Sequence, residues 1–146
     1  MSQPLFHLAL PVDELHATAA FYEKVLGCRR GRESSRWIDL DFWGHQLVLH
    51  LVDAQKMPQI ATNPVDDEDV PASHFGVILP WEQFDSLLQR LEQHAVQYAI
   101  APVTRFEGRR GEQRTLFVTD PAGNYLEFKS FRNPDMLFAT DGLDYP

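Results

Sequence analysis

The sequence predicts a mixed α+β fold built from two βαβββ modules, whose strands form a cupped mixed sheet around a central cavity. Each half of the chain starts with a histidine in an apolar strand that stops at a proline, His7 before Pro11 and His74 before Pro80. In each half an amphipathic helical pattern follows the proline, and about three strand-like segments follow the helix. One half has too few strands to close a sheet around a cavity, whereas two halves have enough.

The first half supplies each of these elements in order. Residues 5–10 form a short apolar run, which is typical of a buried strand. Asp13 is placed to cap the helix that follows, because aspartate is favoured at that position. Gly27 comes where the helical spacing ends, and glycine is favoured just past the end of a helix. After the helix, strands are predicted at 28–33, 37–42 and 46–52.

The second half shows the same order of elements. Strands are predicted at 73–79, 97–106, 113–119 and 124–131, with a helix after the first strand and a turn at 120–123. Between the halves, residues 53–72 contain three prolines and an acidic run without periodicity, which predicts a long loop serving as a lid or a linker. Residues 132–146 are predicted to be a surface arm. The whole chain is expected to be one domain, residues 1–146, with module one at about 4–53 and module two at about 73–131.

The composition limits the partners that this protein can have. The 146 residues include 13 basic and 21 acidic ones, which gives a net charge of −8. Nucleic acids and anionic membranes favour clustered lysine and arginine, so we expect neither as a partner, whereas a small anionic substrate needs only a few arginines. The single cysteine excludes an intramolecular disulfide, and no segment approaches the roughly 20 apolar residues of a membrane span. We therefore expect a cytoplasmic protein.

Three histidines and one glutamate lie inside apolar strands, where a polar side chain needs a partner. They are His7, His50, His74 and Glu127. For one such histidine alone, a hydrogen-bonded core residue is a sufficient explanation. Two histidines at equivalent positions of the two halves, joined by a strand carboxylate, match the ligands of a three-residue metal site. Imidazole and carboxylate suit Fe(II), Mn(II), Ni(II), Co(II) or Zn(II), and three protein ligands leave positions open for substrate or dioxygen.

Four strings carry a resemblance to a known family: F-H-L-A-L-P-V-D, A-F-Y-E-K-V-L-G-C, S-H-F-G-V-I-L and D-P-A-G-N-Y-L-E-F. The chain resembles the vicinal oxygen chelate superfamily, the group of glyoxalase I, fosfomycin-resistance and bleomycin-resistance proteins and extradiol dioxygenases, from Phe6 to about Phe131. The resemblance puts the family's metal ligands on His7, His74 and Glu127. It implies a divalent metal, with Fe(II) or Mn(II) favoured, that chelates two neighbouring substrate oxygens as a Lewis acid.

Two departures from the family pattern bear on the reaction. Glyoxalase-like members have a metal-site glutamate on the last strand of the first half, and His50 stands in the corresponding place, where it could be the proton-transfer group or a fourth ligand. Extradiol dioxygenases have a tyrosine ten residues before the final glutamate, where this chain has Phe117. His50 or Tyr125 could supply the missing proton donor.

Substrate contacts are predicted from two further features. Arg105, Arg109, Arg110 and Arg114 form a basic cluster, in which Arg109 and Arg110 are candidates for a clamp on a carboxylate or phosphate, since guanidinium binds these groups in bidentate geometry. A solvated hairpin is the simpler explanation of the cluster. Trp37 is a candidate for the pocket wall, although aromatic residues on strands often belong to the core.

The function predicted from these features is that of a divalent-metal-dependent enzyme acting on a small substrate with neighbouring oxygens. A dioxygenase-like reaction is slightly favoured over a glyoxalase-like isomerase or lyase reaction. A protein that sequesters a drug-like molecule without metal is the alternative from another class. We expect a homodimer, in which each site is built either from one chain or from two.

Overall fold

The computed structural model describes residues 3–65 and 68–140. The chain divides into two compact units. The first unit comprises the residues up to Ser73 together with Asp120–Asn124, and the second comprises His74–Thr119 and the residues from Tyr125 onward. Each unit contains one four-stranded sheet.

The first unit contains the βαβββ order that the sequence predicts. Its elements are β1 (His7–Val12), α1 (Leu15–Ala20), which continues into a π-helical turn (Phe21–Val25), β2 (Arg29–Glu33), β3 (Trp37–Phe42) and β4 (His45–Leu51). The strands lie in the order β1-β4-β3-β2, with β1 parallel to β4 and the other pairs antiparallel. The connection between the parallel strands β1 and β4 therefore contains the helix and the strands β2 and β3, and it exceeds the dozen or so residues that such a pair requires.

The core of the first unit lies between one face of this sheet and the helix. Strand side chains alternate between the two faces of a sheet, so one face collects the apolar residues and the other the polar ones. The buried residues of this core include Val12, Leu15, Ala19, Tyr22, Ile38, Leu40, Leu47 and Leu49. His7 and His50 lie on the opposite face. The apolar pattern therefore leaves the histidine-bearing face free for a site.

The two ends of the first helix differ in how well they were predicted. Glu14, not Asp13, occupies the position before the helix, and it makes no side-chain hydrogen bond to the helix, so the predicted aspartate cap is wrong. Gly27 adopts a φ of 78°. This left-handed conformation is favourable for glycine and ends the helix, so that the Cys28 N–H donates to the Tyr22 carbonyl oxygen at 2.9 Å.

The segment 53–72 is not the irregular loop that the sequence predicts. After a 3-10 turn at Ala54–Lys56, it forms an antiparallel ribbon of β5 (Thr62–Val65) and β6 (Glu68–Pro71). Each strand of a two-stranded ribbon has a free edge, and proline is tolerated at an edge because no hydrogen bond is required from it there. The prolines and the acidic run therefore led to the prediction of a loop where the chain forms a short two-stranded ribbon.

The second unit repeats the topology of the first. Its elements are β7 (Phe75–Ile78), α2 (Trp81–Gln93), β8 (Ile100–Arg105), β9 (Gln113–Thr119), β10 (Tyr125–Phe131) and a 3-10 turn (Pro134–Met136). The strand order β7-β10-β9-β8, with β7 parallel to β10, is that of the first sheet. Helix α2 packs on β10 through the buried Phe84, Leu87 and Leu91. The α+β class and the pair of βαβββ modules are thus confirmed, while the central cavity stays a prediction.

Two further predictions concern the ends of the chain and its location. Of the predicted arm 132–146, the stretch up to residue 140 includes the buried Met136, and residues 141–146 lie outside the described residues. In the part of the chain that the structure describes, no helix has the length and hydropathy needed to cross a membrane. The cytoplasmic location stays a prediction.

Candidate metal centre

Two of the predicted metal ligands meet in the second unit. Glu127 lies on β10 between the buried Leu126 and Phe128, so its side chain projects from the face opposite to the core. His74 directly precedes β7, the parallel neighbour of β10. The His74 Nε2 lies 3.5 Å from the Glu127 Oε1, and the two side chains are 28% and 17% exposed. An imidazole and a carboxylate thus converge at a half-buried position.

A glycine allows these two strands to approach each other. Gly76 is the partner of Glu127 in the parallel pairing. A Cβ atom at Gly76 would lie 1.6 Å from the Glu127 carbonyl oxygen, which no side chain can tolerate. The glycine in S-H-F-G-V-I-L therefore sets the strand spacing that brings His74 to Glu127.

An aromatic ring covers the histidine of this pair. Phe117, on β9, is the antiparallel partner of Glu127 and is 2% exposed. Its ring meets the His74 imidazole edge to face, with centroids 5.0 Å apart and planes at 72°. Phe117 therefore limits the access of water to His74, and it offers no group that could donate a proton.

A lysine that sequence reasoning missed lies beside the same carboxylate. The Lys129 Nζ is 3.6 Å from the Glu127 Oε1, the oxygen that also faces His74. Lys129 follows Glu127 by two residues on one strand, and such residues project from the same face of a sheet. This spacing in the sequence would have indicated the contact.

The third predicted ligand, His7, belongs to the first unit. It is the first residue of β1 and pairs with Gln46 of β4. The His7 Nδ1 lies 2.8 Å from the Gln46 Oε1. When Nδ1 carries the proton and donates it to this amide oxygen, Nε2 keeps a lone pair that can bind a metal. Gln46 is a second residue that sequence reasoning missed, and the meeting of His7 with the other two ligands stays a prediction.

His50 lies on the exposed face of the first sheet but away from His7. It pairs with Pro11 of β1 and Trp37 of β3, and it is four residues beyond Gln46 along β4. Four strand residues span about 13 Å. His50 and the half-buried Trp37 are therefore neighbours of each other, and their predicted roles as proton-transfer group and pocket wall stay predictions.

The strand registers also correct the correspondence between His50 and the metal-site glutamate. In module two, Glu127 lies two residues beyond the β10 residue that is level with His74. In module one, the residue two positions beyond the β4 partner of His7 is Val48, which is buried. Val48, not His50, therefore occupies the place in module one that Glu127 occupies in module two, and a valine provides no ligand atom.

The predicted arginine cluster is divided, because Arg114 belongs to the helix side of the second unit. Its guanidinium carbon lies 4.1 Å from the centroid of the Trp81 ring and 4.6 Å from that of Phe84. Its Nη1 donates to the Asp85 Oδ1 at 2.7 Å, and its Nη2 donates to the Trp81 carbonyl oxygen at 2.6 Å. Arg114 thus fixes α2 to the sheet and is not part of an anion clamp.

Arg109 and Arg110 lie in the turn before β9, and both are exposed. The turn is closed by Glu112, whose carboxylate accepts from the Gly108 N–H at 2.9 Å and from the Arg132 Nη1 at 3.1 Å. The Gly108 N–H, followed by Arg132, lowers the pKa of Glu112 below its ordinary value. A role for Arg109 and Arg110 in binding substrate stays a prediction.

Tyr125, the other candidate proton donor, begins β10 two residues before Glu127 and projects from the same face. It is half-buried and pairs with Thr119 of β9. Its phenol therefore borders the imidazole–carboxylate pair along the strand, although its catalytic role stays a prediction.

Three of the family-like strings are joined by a buried hydrogen-bond network in the first unit. The Tyr22 hydroxyl donates to the Asp120 Oδ2 at 2.8 Å, and the N–H groups of Ala122 and Asn124 donate to the Oδ1. The Asn124 side chain donates to the Asp120 Oδ2 and to the Pro11 carbonyl oxygen. Burial raises the pKa of Asp120, with these hydrogen bonds opposing the shift, and it also raises the pKa of Tyr22. This tyrosine and aspartate therefore stabilise the fold.

The donor atoms in the second unit suit a divalent metal. Metal–nitrogen and metal–oxygen bonds of about 2.1 Å place two ligands of one ion about 3.0–3.4 Å apart, close to the 3.5 Å between His74 and Glu127. Nitrogen and oxygen are also the ligand types of a catalytic site. Among residues 3–65 and 68–140, however, no group of three or more histidine, cysteine, aspartate or glutamate side chains is close enough to hold an ion.

The fold has two βαβββ modules, and in the second module an imidazole just before the first strand meets a carboxylate on the last strand. These features are those of the vicinal oxygen chelate proteins. The model of the glyoxalase/bleomycin resistance protein/dioxygenase superfamily matches residues 5–128, and the chain belongs to this superfamily. The resemblance stated from the sequence is confirmed.

Several relatives share most of the chain. A glyoxalase/bleomycin resistance protein/dioxygenase from Alicyclobacillus acidocaldarius is 34% identical, with a TM-score of 0.76 over 92% of this chain and 96% of that one. The virulence protein STM3117 of Salmonella typhimurium is 26% identical over 86% of this chain and 82% of its own length. The metallothiol transferase FosB of Lysinibacillus sphaericus is 25% identical over 92% of this chain and 87% of its own length.

Proposed function

We propose that this protein is a divalent-metal-dependent enzyme that acts on a small substrate with two neighbouring oxygens. The observation that carries the proposal is the 3.5 Å approach of the His74 Nε2 to the Glu127 Oε1 at a half-buried position. We propose His7 as the third ligand, with its Nδ1 held by Gln46. The relationship to a protein named as a metallothiol transferase supports metal dependence.

The residues of the chain have distinct parts in this proposal. The metal, when bound, acts as a Lewis acid that polarises the substrate oxygens. Gln46 holds the His7 ring so that Nε2 remains available as a ligand, and Gly76 holds His74 at Glu127. Phe117 covers one edge of the His74 ring and limits the access of water. Tyr125 is the proposed proton-transfer group, because His50 lies about 13 Å from Gln46 along β4.

For the reaction, we place non-oxidative chemistry ahead of the dioxygenase-like reaction that the sequence slightly favoured. Phe117, which lies against His74, lacks the hydroxyl that the ring-cleaving members use at this position. The FosB relative is named for a transfer reaction. An isomerase, lyase or transferase reaction with Ni(II), Co(II), Zn(II) or Mn(II) therefore fits better. Bound Fe(II) together with oxygen consumption would instead support the dioxygenase-like reaction.

The test is the metal content of protein purified without added metal or chelator. We expect close to one divalent ion per chain, at least a tenfold lower content in His74→Ala and Glu127→Gln, and an unchanged content in His94→Ala, an exposed histidine just after α2. An oxygen electrode then separates the two reaction classes. Equal metal content in all four proteins would contradict the proposal. A metal-free protein whose ligand affinity survives His7→Ala would instead support the drug-sequestering alternative.

We also propose a homodimer, and two inactive variants can test how its sites are built. His7→Ala and His74→Ala each remove one ligand from a different module. When each site takes its ligands from two chains, refolding the two variants together regenerates some complete sites, and metal binding is partly recovered. When each site is built within one chain, the mixture binds no more metal than the separate variants. Size-exclusion chromatography with light scattering checks the dimer itself.

A further inference from the structure

The polar face of the second sheet continues past the imidazole–carboxylate pair. Along β10, Glu127 is followed on the same face by Lys129, one step of about 6.6 Å further. The antiparallel partner of Lys129 is Thr115 of β9. Paired residues of this kind have Cβ atoms about 4.5–5.5 Å apart on one face of the sheet. An ammonium and a hydroxyl are therefore neighbours beside Glu127.

The Thr115 hydroxyl is an exception to the way buried polar groups are normally satisfied. Thr115 is 2% exposed. Within the ranges 3–65 and 68–140, its Oγ1 is buried and finds no hydrogen-bond partner. Because an unpaired buried hydroxyl is costly, it indicates a position that a ligand atom can satisfy.

Lys129 is held in place by the same carboxylate that we propose as a metal ligand. Its Nζ lies 3.6 Å from the Glu127 Oε1, and its side chain is 28% exposed. A divalent ion on Glu127 would neutralise the charge that now attracts this ammonium, and it would leave the lysine available for another anion. The charge of Lys129 therefore adds to that of the metal in attracting an anionic substrate.

We infer that Lys129 and Thr115 form a subsite for an anionic group of the substrate, such as a carboxylate, phosphate or phosphonate, next to the metal ligands. The ammonium supplies the charge, and the hydroxyl donates a hydrogen bond. The substrate class is thus a small molecule with two neighbouring oxygens at one end and an acidic group about 6.6 Å away, the distance between alternate residues of a strand. This assignment rests on the proposed function for its substrate, but the subsite itself can bind an anion without metal.

The experiment measures binding of inorganic phosphate to metal-free protein in the presence of a chelator, by calorimetry or phosphorus NMR. Glu127→Gln removes the competing carboxylate and its repulsion of the anion, so phosphate should bind about tenfold more tightly than to the unmodified protein. In the Glu127→Gln protein, the second substitution Lys129→Gln should abolish this gain in phosphate affinity, whereas Lys129→Arg should preserve it. Adding Thr115→Val should reduce it about threefold to tenfold, as for loss of one hydrogen bond. Adding Lys24→Gln, an exposed lysine of the first unit, should leave the gain unchanged.

The outcomes separate the subsite from the metal proposal. If Glu127→Gln binds phosphate no better than the unmodified protein, or if the gain persists without Lys129, the subsite is overturned. If Lys129→Gln in the unmodified background only tightens Mn(II) binding and leaves phosphate binding unchanged, Lys129 is merely the counter-ion of Glu127, and the inference is again overturned. A protein that binds phosphate as described but never binds a metal would retain the subsite and contradict the proposed function. Circular dichroism of each variant shows whether it folds.

Discussion

Replacing Gly76 by alanine tests whether the approach of β7 to β10 creates the metal site. The added Cβ atom would lie 1.6 Å from the Glu127 carbonyl oxygen. Ordinary carbon–oxygen contacts are about 3.3 Å or longer, so the two strands have to separate by roughly 1.7 Å at this pair. A hydrogen bond of about 2.9 Å that lengthens by this amount is broken.

The consequences for stability and for metal binding can be estimated separately. β7 and β10 pair over four residues, and the Leu79 N–H also donates to the Lys129 carbonyl oxygen at 2.7 Å. Loss of two or three such bonds at about 1 kcal/mol each, together with overpacking, lowers the free energy of unfolding by about 2–4 kcal/mol. The same displacement moves His74 away from Glu127, and we expect Mn(II) affinity to fall by about tenfold to a hundredfold.

Urea unfolding and Mn(II) calorimetry measure the two effects. Gly31→Ala is the matched control, because a Cβ atom at this strand glycine would lie 3.4 Å from the Asp39 Cβ, an ordinary contact. A Gly76→Ala variant that unfolds at the same urea concentration as the Gly31→Ala variant, and binds Mn(II) as the unmodified protein does, would show that the close approach of β7 to β10 does not create the site.

The remaining predictions concern the fold and the ligand supports. Tyr22→Phe removes a hydrogen bond to the buried Asp120 carboxylate and should lower the free energy of unfolding by about 1–3 kcal/mol in urea titrations. Because burial raises the pKa of Asp120, its contribution to stability is full below its ordinary pKa of about 4 and is lost as the pH rises through the raised pKa, so Asp120→Asn should flatten that part of the stability profile. Gln46→Leu removes the partner of His7 and should weaken Mn(II) binding about tenfold or more. Arg114→Ala should lower stability by about 1–2 kcal/mol while leaving phosphate binding unchanged.

Specific results would contradict these predictions. Tyr22→Phe should be compared with Tyr98→Phe, a change at a half-buried tyrosine between α2 and β8. Equal stability of the two variants would show that the network does not stabilise the fold. A stability profile of Asp120→Asn parallel to that of the unmodified protein at all pH values would contradict the assigned shift. Unchanged Mn(II) affinity in Gln46→Leu would contradict the role of His7 as a metal ligand oriented by Gln46. Loss of phosphate binding in Arg114→Ala would contradict the assignment of Arg114 to the helix side of the second unit alone.

The regular elements were predictable because their patterns are strong and local. The strands at 37–42 and 113–119 have the predicted bounds. The ribbon in 53–72 was not predicted, because within the described ranges its strands pair with each other alone and contain prolines. Neither alternation nor propensity therefore signals it. Asp13 was predicted as a cap from residue type alone, whereas the helix begins one residue later.

The candidate site was predictable only in part, because side-chain partners depend on strand register. His74 and Glu127 were identified through their strings, and the structure brings them together. The sequence alone placed His50 at the position of the metal-site glutamate. Aligning the two modules by strand pairing puts Val48 at that position instead. Lys129 was readable from its spacing to Glu127, whereas the neighbour of His7 required the register of β1 and β4.

One divalent ion is proposed to bind to both His74 and Glu127. Anomalous X-ray diffraction from a crystal grown with Mn(II) locates such an ion. We expect an anomalous peak within about 2.0–2.3 Å of the His74 Nε2 and of a Glu127 carboxylate oxygen. A peak bonded to neither side chain, in crystals of protein that binds Mn(II) in solution, would contradict it.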